Sequence, residues 1–226
     1  MLIVIEGIDG SGKGTQAKLL VDKLTVDRGV DTYLLSYPQY ADTGFGMILG
    51  RYLNGDFGPD VHPVLASLLY SLDRFEGRKE LEAQLHVREI VVCDRYVISN
   101  IAYQCAKLDE KQADELQKWI EQLEYEVFEL PIPDLVIYMD VSSVGAEKLI
   151  ARKQERAYLD KGKTADIYEA DLCYLRLVRS SYHRLEGKTP AGSWETVSVE
   201  RNGHIRPVAD IFADMWHAVS AFMGSE

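Results

Sequence analysis

The first chemical signal lies near the start of the chain. In "EGIDGSGKGTQ" (6–16), Gly7, Gly12 and Lys13 stand at the spacing G-x-x-x-x-G-K. Glycines let successive backbone N–H groups converge on an anion, a helix starting there adds positive potential, and the lysine supplies a full charge. The pattern follows an apolar stretch and opens a helical one, the setting that a phosphate-gripping loop needs. Gly7, Gly10, Ser11, Gly12, Lys13, Gly14 and Thr15 are therefore the candidates for holding the phosphates of a nucleoside triphosphate. Position 14 departs from the usual form. A hydroxyl residue normally follows the lysine and reaches magnesium, and here that residue is glycine. A second signal is "EIVVCDR" (89–95), which reads as a strand ending on an acid. In an open α/β sheet, ligands sit in the crevice outside the carboxyl ends of the strands, so Asp94 should point into it.

These residues need a sheet to position them. Apolar runs occur at 2–6, 32–37, 89–94, 134–141 and 194–199, most of them continuous rather than alternating. That is the pattern of strands buried on both faces of a parallel sheet. Helical patterns lie between the runs. Residues 13–27 place Ala17, Leu20 and Leu24 on one face, and 64–87 and 110–128 are long helical candidates. Residues 169–185 align Leu172, Leu175, Val178, Tyr182 and Leu185, and 207–222 close the chain with Pro207 suited to a first helical turn. The alternation predicts an α/β fold with a doubly wound, mostly five-stranded parallel sheet flanked by helices, in one domain over 1–226. The least hydrophobic segment, 152–170, carries Arg152, Lys153, Arg156, Lys161 and Lys163 and reads either as a solvated loop or as a mobile cationic lid over phosphates.

Composition removes other classes. The formal net charge is −11, which argues against a nucleic-acid or membrane-surface binder. No apolar run approaches the roughly 20 residues of a membrane span, and "MLIVIEG" has no basic region before it, so it reads as a strand rather than a signal peptide. Cys93, Cys105 and Cys173 are odd in number, widely spaced and without CxxC, which fits a reduced, cytoplasmic setting and disfavours a zinc site. There is no NKxD-like guanine motif, no Ser-His-Asp or Cys-His set, and the chain is too short for motor modules.

At "CDRYVISNIAYQ" (93–104) the reading sharpens. Together with "IEGIDGSGKGTQ", it resembles the thymidylate kinases, P-loop enzymes that transfer the γ-phosphoryl of ATP to dTMP. "LLYSLDRFE" (68–76) resembles the family's thymine-binding helix, "PDLVIYMDV" (133–141) its fourth strand, and 152–170 its lid. The loop alone is shared with adenylate kinases, so another nucleoside monophosphate kinase or a deoxynucleoside kinase stays the alternative that "DRY", Tyr70 and Arg74 weigh against.

The resemblance implies roles residue by residue. Lys13 would bridge the donor phosphates, and Arg95 would clamp the dTMP phosphate through its planar fork. Asp9 resembles the acid that meets the acceptor sugar or magnesium. Tyr70 matches the aromatic stacked on thymine, and Arg74 matches a donor to a base carbonyl. Asn100 matches a position near the base N3, Tyr103 one that crowds a ribose 2′-OH, and Gln104 lies close by. Some relatives carry a basic residue where this chain has Gly10, and the others put arginines in the lid. Arg152 and Arg156 are the implied lid arginines. Asp166, Tyr168 and Glu169 resemble lid residues near the acceptor, while Asp166 and Glu169 equally fit a capping box. Many relatives have Arg where "YPQY" gives Gln39, so Tyr40 and Arg51 are the substitutes for a second phosphate contact. With no hydroxyl at position 14, Mg2+ is expected on phosphate oxygens, water and an acid: Asp9 first, then Asp94 or Glu169. The family also implies a homodimer.

Overall fold

In the computed structural model of the protein, which describes residues 1–58, 60–151 and 171–224, the five apolar runs pair into one parallel sheet. The strands are β1 (Leu2–Glu6), β2 (Thr32–Ser36), β3 (Ile90–Asp94), β4 (Leu135–Asp140) and β5 (Ser193–Ser198), in the order β2-β3-β1-β4-β5. β1 is buried along its whole length, as is β4 up to its last residue, because helices cover both faces there. That two-sided cover is why their sequences run apolar without alternation.

The crossover elements place the functional segments. α1 (Lys13–Asp22) follows the loop after β1 and continues as a π-helical turn over Lys23–Asp27, with Ala17, Leu20 and Leu24 fully buried. α2 (Gly44–Leu53), capped by the Thr43 side chain, and α5 (Val97–Cys105) were not distinct in the sequence pattern. The long candidate 64–87 is two helices, α3 (Pro63–Glu76) and α4 (Arg78–Val87), divided at Gly77. The Gln39 side chain lies where a Cβ on Gly77 would be. α6 (Glu110–Glu121), capped by Asp109, extends as a π-helical turn over Gln122–Val127.

After β4 come α7 (Ser143–Ile150) and α8 (Leu172–Leu185). Asp171 caps α8, accepting from Tyr174 N at 2.9 Å, so the helix starts later than the predicted residue 169. Asp166 and Glu169, expected as its capping box, lie outside the described residues. A short hairpin of β6 (Glu200–Arg201) and β7 (His204–Ile205) turns at Asn202-Gly203, both with positive φ. α9 (Val208–Gly224) closes the described chain, and the Pro207 carbonyl accepts its first hydrogen bond. No helix among the described residues is long and apolar enough to cross a membrane.

Candidate active site

β1 and β3 end side by side. Ile5 is in register with Asp94, and Arg95 N donates to the Ile5 carbonyl at 3.0 Å, so the glycine loop and the turn after β3 leave the sheet together. A cavity of about 270 Å3 opens there, lined by Asp9, Gly10, Gly12, Lys13 and Gly14 from the loop, Asp94 and Arg95 from the turn, Tyr40 after β2, Tyr70 and Arg74 from α3, and Asn100, Tyr103 and Gln104 from α5. Thirteen of the sequence candidates therefore converge on one space. Gly7, Ser11 and Thr15 do not line it. Gly7 offers its carbonyl to Arg95, Ser11 is buried against Lys13, and Thr15 is exposed. Arg152, Arg156, Tyr168 and Glu169 lie outside the described residues.

The loop needs glycine at position 10 for two reasons. The backbone there is left-handed, with φ 80°, and an added Cβ would stand 2.5 Å from the Ala146 carbonyl oxygen. A basic side chain has no room to begin at this position. Lys13 is buried, and its Nζ donates to the Ile8 carbonyl at 2.8 Å and to Ser11 Oγ at 3.3 Å. The ammonium thus curls over the loop that it serves.

Gly14 faces the acid at the end of β3. A Cβ on Gly14 would meet Asp94 Oδ2 at 3.1 Å, so the carboxylate stands beside this position. Among the described residues the Asp94 carboxylate accepts no hydrogen bond. The oxygens of Asp9 are engaged: Oδ1 takes Arg95 Nη2 at 2.6 Å, and Oδ2 takes the Tyr103 hydroxyl at 2.6 Å. A hard cation needs anionic oxygen with lone pairs to give.

Arg95 has φ 69°, unusual for a residue with a side chain, and the surrounding contacts hold it there. Its Nη1 donates to the Gly7 carbonyl at 3.1 Å and to Ser99 Oγ at 3.0 Å, and Nη2 donates to Asp9. Burial works against its charge, but the Asp9 carboxylate and nearby phenols outweigh that and hold the guanidinium well above its ordinary range. Burial, with Asp9 beside it, raises the Tyr103 phenol, so it stays protonated and donates to Asp9. Beneath them lies Glu6, fully buried and raised by that burial. Glu6 Oε1 accepts from the backbone N–H of Tyr96 at 2.9 Å and of Ser99 at 3.2 Å, which caps the start of α5, and Oε2 takes the Ser99 hydroxyl at 2.5 Å.

At the other end, Arg74 is 2 % exposed and forms a bidentate pair with the fully buried Glu124, Nε to Oε2 at 2.5 Å and Nη2 to Oε1 at 2.6 Å. Burial opposes the charge of Arg74, and Glu124 more than restores it, leaving the group above its ordinary range. The same carboxylate accepts from Ser71 Oγ at 2.8 Å and Asn100 Nδ2 at 3.1 Å. The sequence reading missed Glu124. A signal existed: Leu116, Ile120 and Glu124 recur every four residues, so the acid sits on the apolar face of its helix and requires a buried partner. The substitutes named for a second phosphate contact divide. Tyr40 lines the cavity. Arg51 does not line it, being exposed and paired with Asp56 at 3.1 Å, and Gln39 is buried against Gly77.

Known proteins resemble this chain in sequence and in architecture. The family model described as thymidylate kinase matches residues 5–194. A thymidylate kinase of Mycobacterium tuberculosis is 33% identical over 206 residues, spanning 88% of this chain and 92% of that protein. One from Caenorhabditis elegans is 29% identical over 210 residues, spanning 89% and 87%. The solved structure of the Candida albicans thymidylate kinase superposes with a TM-score of 0.71 at 24% identity, covering 100% of this chain and 93% of that one, a likeness of fold.

Proposed function

The chain belongs to the thymidylate kinase family, and on that premise we propose how its residues divide the work. The enzyme moves the γ-phosphoryl group of ATP to dTMP, giving dTDP and ADP. What supports the assignment of roles is the convergence of Lys13, Arg95, Arg74 and Asn100 on one cavity. A coupled ADP-release assay with dTMP, AMP, UMP and dCMP tests it, and a rate with dTMP no better than with the others would sink it.

The glycine loop and the start of α1 hold the donor phosphates, and Lys13 follows the migrating group. Arg95 leaves Asp9 to grip the dTMP phosphate, while Asp9 and Tyr103 stay as a hydrogen-bonded pair beside the sugar. Tyr70 stacks on the base, which gives affinity for any flat ring, and Arg74 and Asn100 read its edge. No residue forms a covalent intermediate. Transfer is direct and in line, with catalysis from positioning and charge. Mg2+, when bound, neutralises phosphate charge; Asp94 is the residue we assign to hold it, with Asp9 second. Asp94→Asn is expected to raise the magnesium concentration for half-maximal rate about tenfold, and an unchanged requirement would remove Asp94 from the role.

We read the chain as one kinase domain with residues 152–170 as its lid. Arg152 and Arg156, four apart, would present both charges on one side of a helix to the spreading charge of the transition state. Replacing both with alanine is expected to lower kcat more than dTMP affinity, and an unchanged kcat takes the lid out of the mechanism. The protein is proposed to be a homodimer. Leu65, Leu68, Leu72 and Phe75 form an outward-facing stripe on α3, with Leu65 and Phe75 59% and 46% exposed. A monomer mass by light scattering would refute that. The described cysteines are free, Cys93 and Cys105 being buried, which supports a reducing, cytoplasmic setting.

A further inference from the structure

Three side chains at the base end of the cavity have hydrogen-bonding groups left over, and charged residues behind them decide which groups those are. Arg74 spends Nε and Nη2 on Glu124, leaving Nη1. Asn100 directs Nδ2 to the Ser67 carbonyl at 3.0 Å, Ser71 Oγ at 3.2 Å and Glu124 Oε1 at 3.1 Å, and its Oδ1 is buried without a partner. Gln104 gives Oε1 to Lys107 Nζ at 2.9 Å, and its Nε2 is buried without a partner.

An amide can in general be turned either way. Here the neighbours allow one orientation each. A carbonyl and a carboxylate only accept, so Asn100 must turn its nitrogen to Ser67 and Glu124. An ammonium only donates, so Gln104 must turn its oxygen to Lys107. Neither Glu124 nor Lys107 lines the cavity.

We propose that Glu124 and Lys107 set the base specificity of the enzyme by fixing the hydrogen-bond polarity of residues that they back. Glu124 leaves Asn100 with an acceptor and Arg74 with a donor, and Lys107 leaves Gln104 with a donor. One acceptor with two donors complements a pyrimidine edge made of a ring N–H and two carbonyls, as in thymine. Cytosine meets the same set wrongly. Its bare N3 faces an acceptor, its amino group faces a donor, and such buried mismatches discriminate far better than a difference in size. Glu124 has a second effect. It neutralises a guanidinium that would otherwise be an uncompensated buried charge.

The inference rests on the base lying against Arg74 and Asn100, as read above. The experiment measures kcat/KM for dTMP and for dCMP at saturating ATP in wild type, Glu124→Gln, Lys107→Met and Asn100→Leu, with a thermal melt of each. A Gln at 124 can donate to Asn100 Oδ1, which sets it against the Ser67 carbonyl that holds Nδ2, and it withdraws the charge that pairs Arg74; Met at 107 releases Gln104. Both variants are expected to lower the dTMP-to-dCMP ratio at least tenfold, with KM for ATP within about twofold of wild type. A general packing defect would lower both substrates together and leave the ratio unmoved. A folded variant whose ratio stays within twofold of wild type overturns the assignment for the residue it replaces. If Glu124→Gln does not fold, Lys107→Met decides the inference under the same criterion. Asn100→Leu separates the two levels. If it leaves the ratio unchanged, the base lies elsewhere and the placement above falls as well; if it collapses the ratio while the folded Glu124 and Lys107 variants do not, only this inference fails.

Discussion

Arg95→Ala is expected to lower kcat/KM for dTMP by roughly 100- to 1,000-fold and to leave KM for ATP within about threefold of wild type. The size follows from truncating one partner of a largely enclosed, charge-assisted contact, which costs about 3–4 kcal/mol. The direction follows from where the guanidinium lies. It is held by the Gly7 carbonyl, Ser99 and Asp9 on the turn after β3, and its side chain is 16% exposed. A dianionic phosphate arriving there competes with a single carboxylate, so Arg95 can exchange Asp9 for phosphate without moving its backbone. Alanine keeps the left-handed backbone at this position without new strain beyond that of the arginine, and Tyr103 still donates to Asp9, so the fold should survive. Arg95→Lys is the useful control. A lysine restores charge without the fork and should recover only part of the loss. Steady-state kinetics with each substrate varied in turn provide the measurement. An equal loss of affinity for ATP would contradict the acceptor-side role.

Legibility differed by the kind of interaction. The sheet was readable because β1, β3 and β4 are covered on both faces and so carry unbroken apolar runs. The loop was readable because its geometry restricts residue type at Gly10, where the chain turns left-handed against Ala146. Residues acting through other side chains were harder. At Gly77 the space beside the backbone is filled by the amide of Gln39, 38 positions earlier, a contact that no local pattern shows. Glu124 and Lys107 do not line the site cavity and match no motif, and only the acid on an apolar helix face betrayed one of them. The Asn202-Gly203 turn was a clear local signal, but its strands of two residues each are too short to show an alternating pattern. Gly14 was read as a missing magnesium ligand. In the structure an Asp94 carboxylate oxygen stands 3.1 Å from where a Cβ on Gly14 would lie.

Lys13→Met is expected to lower kcat about 1,000-fold while weakening ATP binding only about tenfold. The two numbers differ because the ammonium interacts most strongly with charge that develops during transfer. In the ground state the donor phosphates already meet the loop N–H groups and the start of α1. As the γ-phosphoryl group separates, negative charge spreads over its oxygens, and a preorganised cation is then worth more than before. Lys13 is preorganised in this sense. It is 6% exposed, with Nζ held 2.8 Å from the Ile8 carbonyl and 3.3 Å from Ser11 Oγ, so it has little solvent to shed and a short path to a phosphate in the loop. Methionine preserves the apolar stem at the helix start. The separation of kcat from KM is what distinguishes the roles: an interaction equal in ground and transition states would raise KM and spare kcat. A Lys13→Met enzyme with near-normal kcat and a large rise in KM for ATP would mean that Lys13 binds the nucleotide without following the transferred group, and the charge for that step would then have to come from Arg95 and the lid.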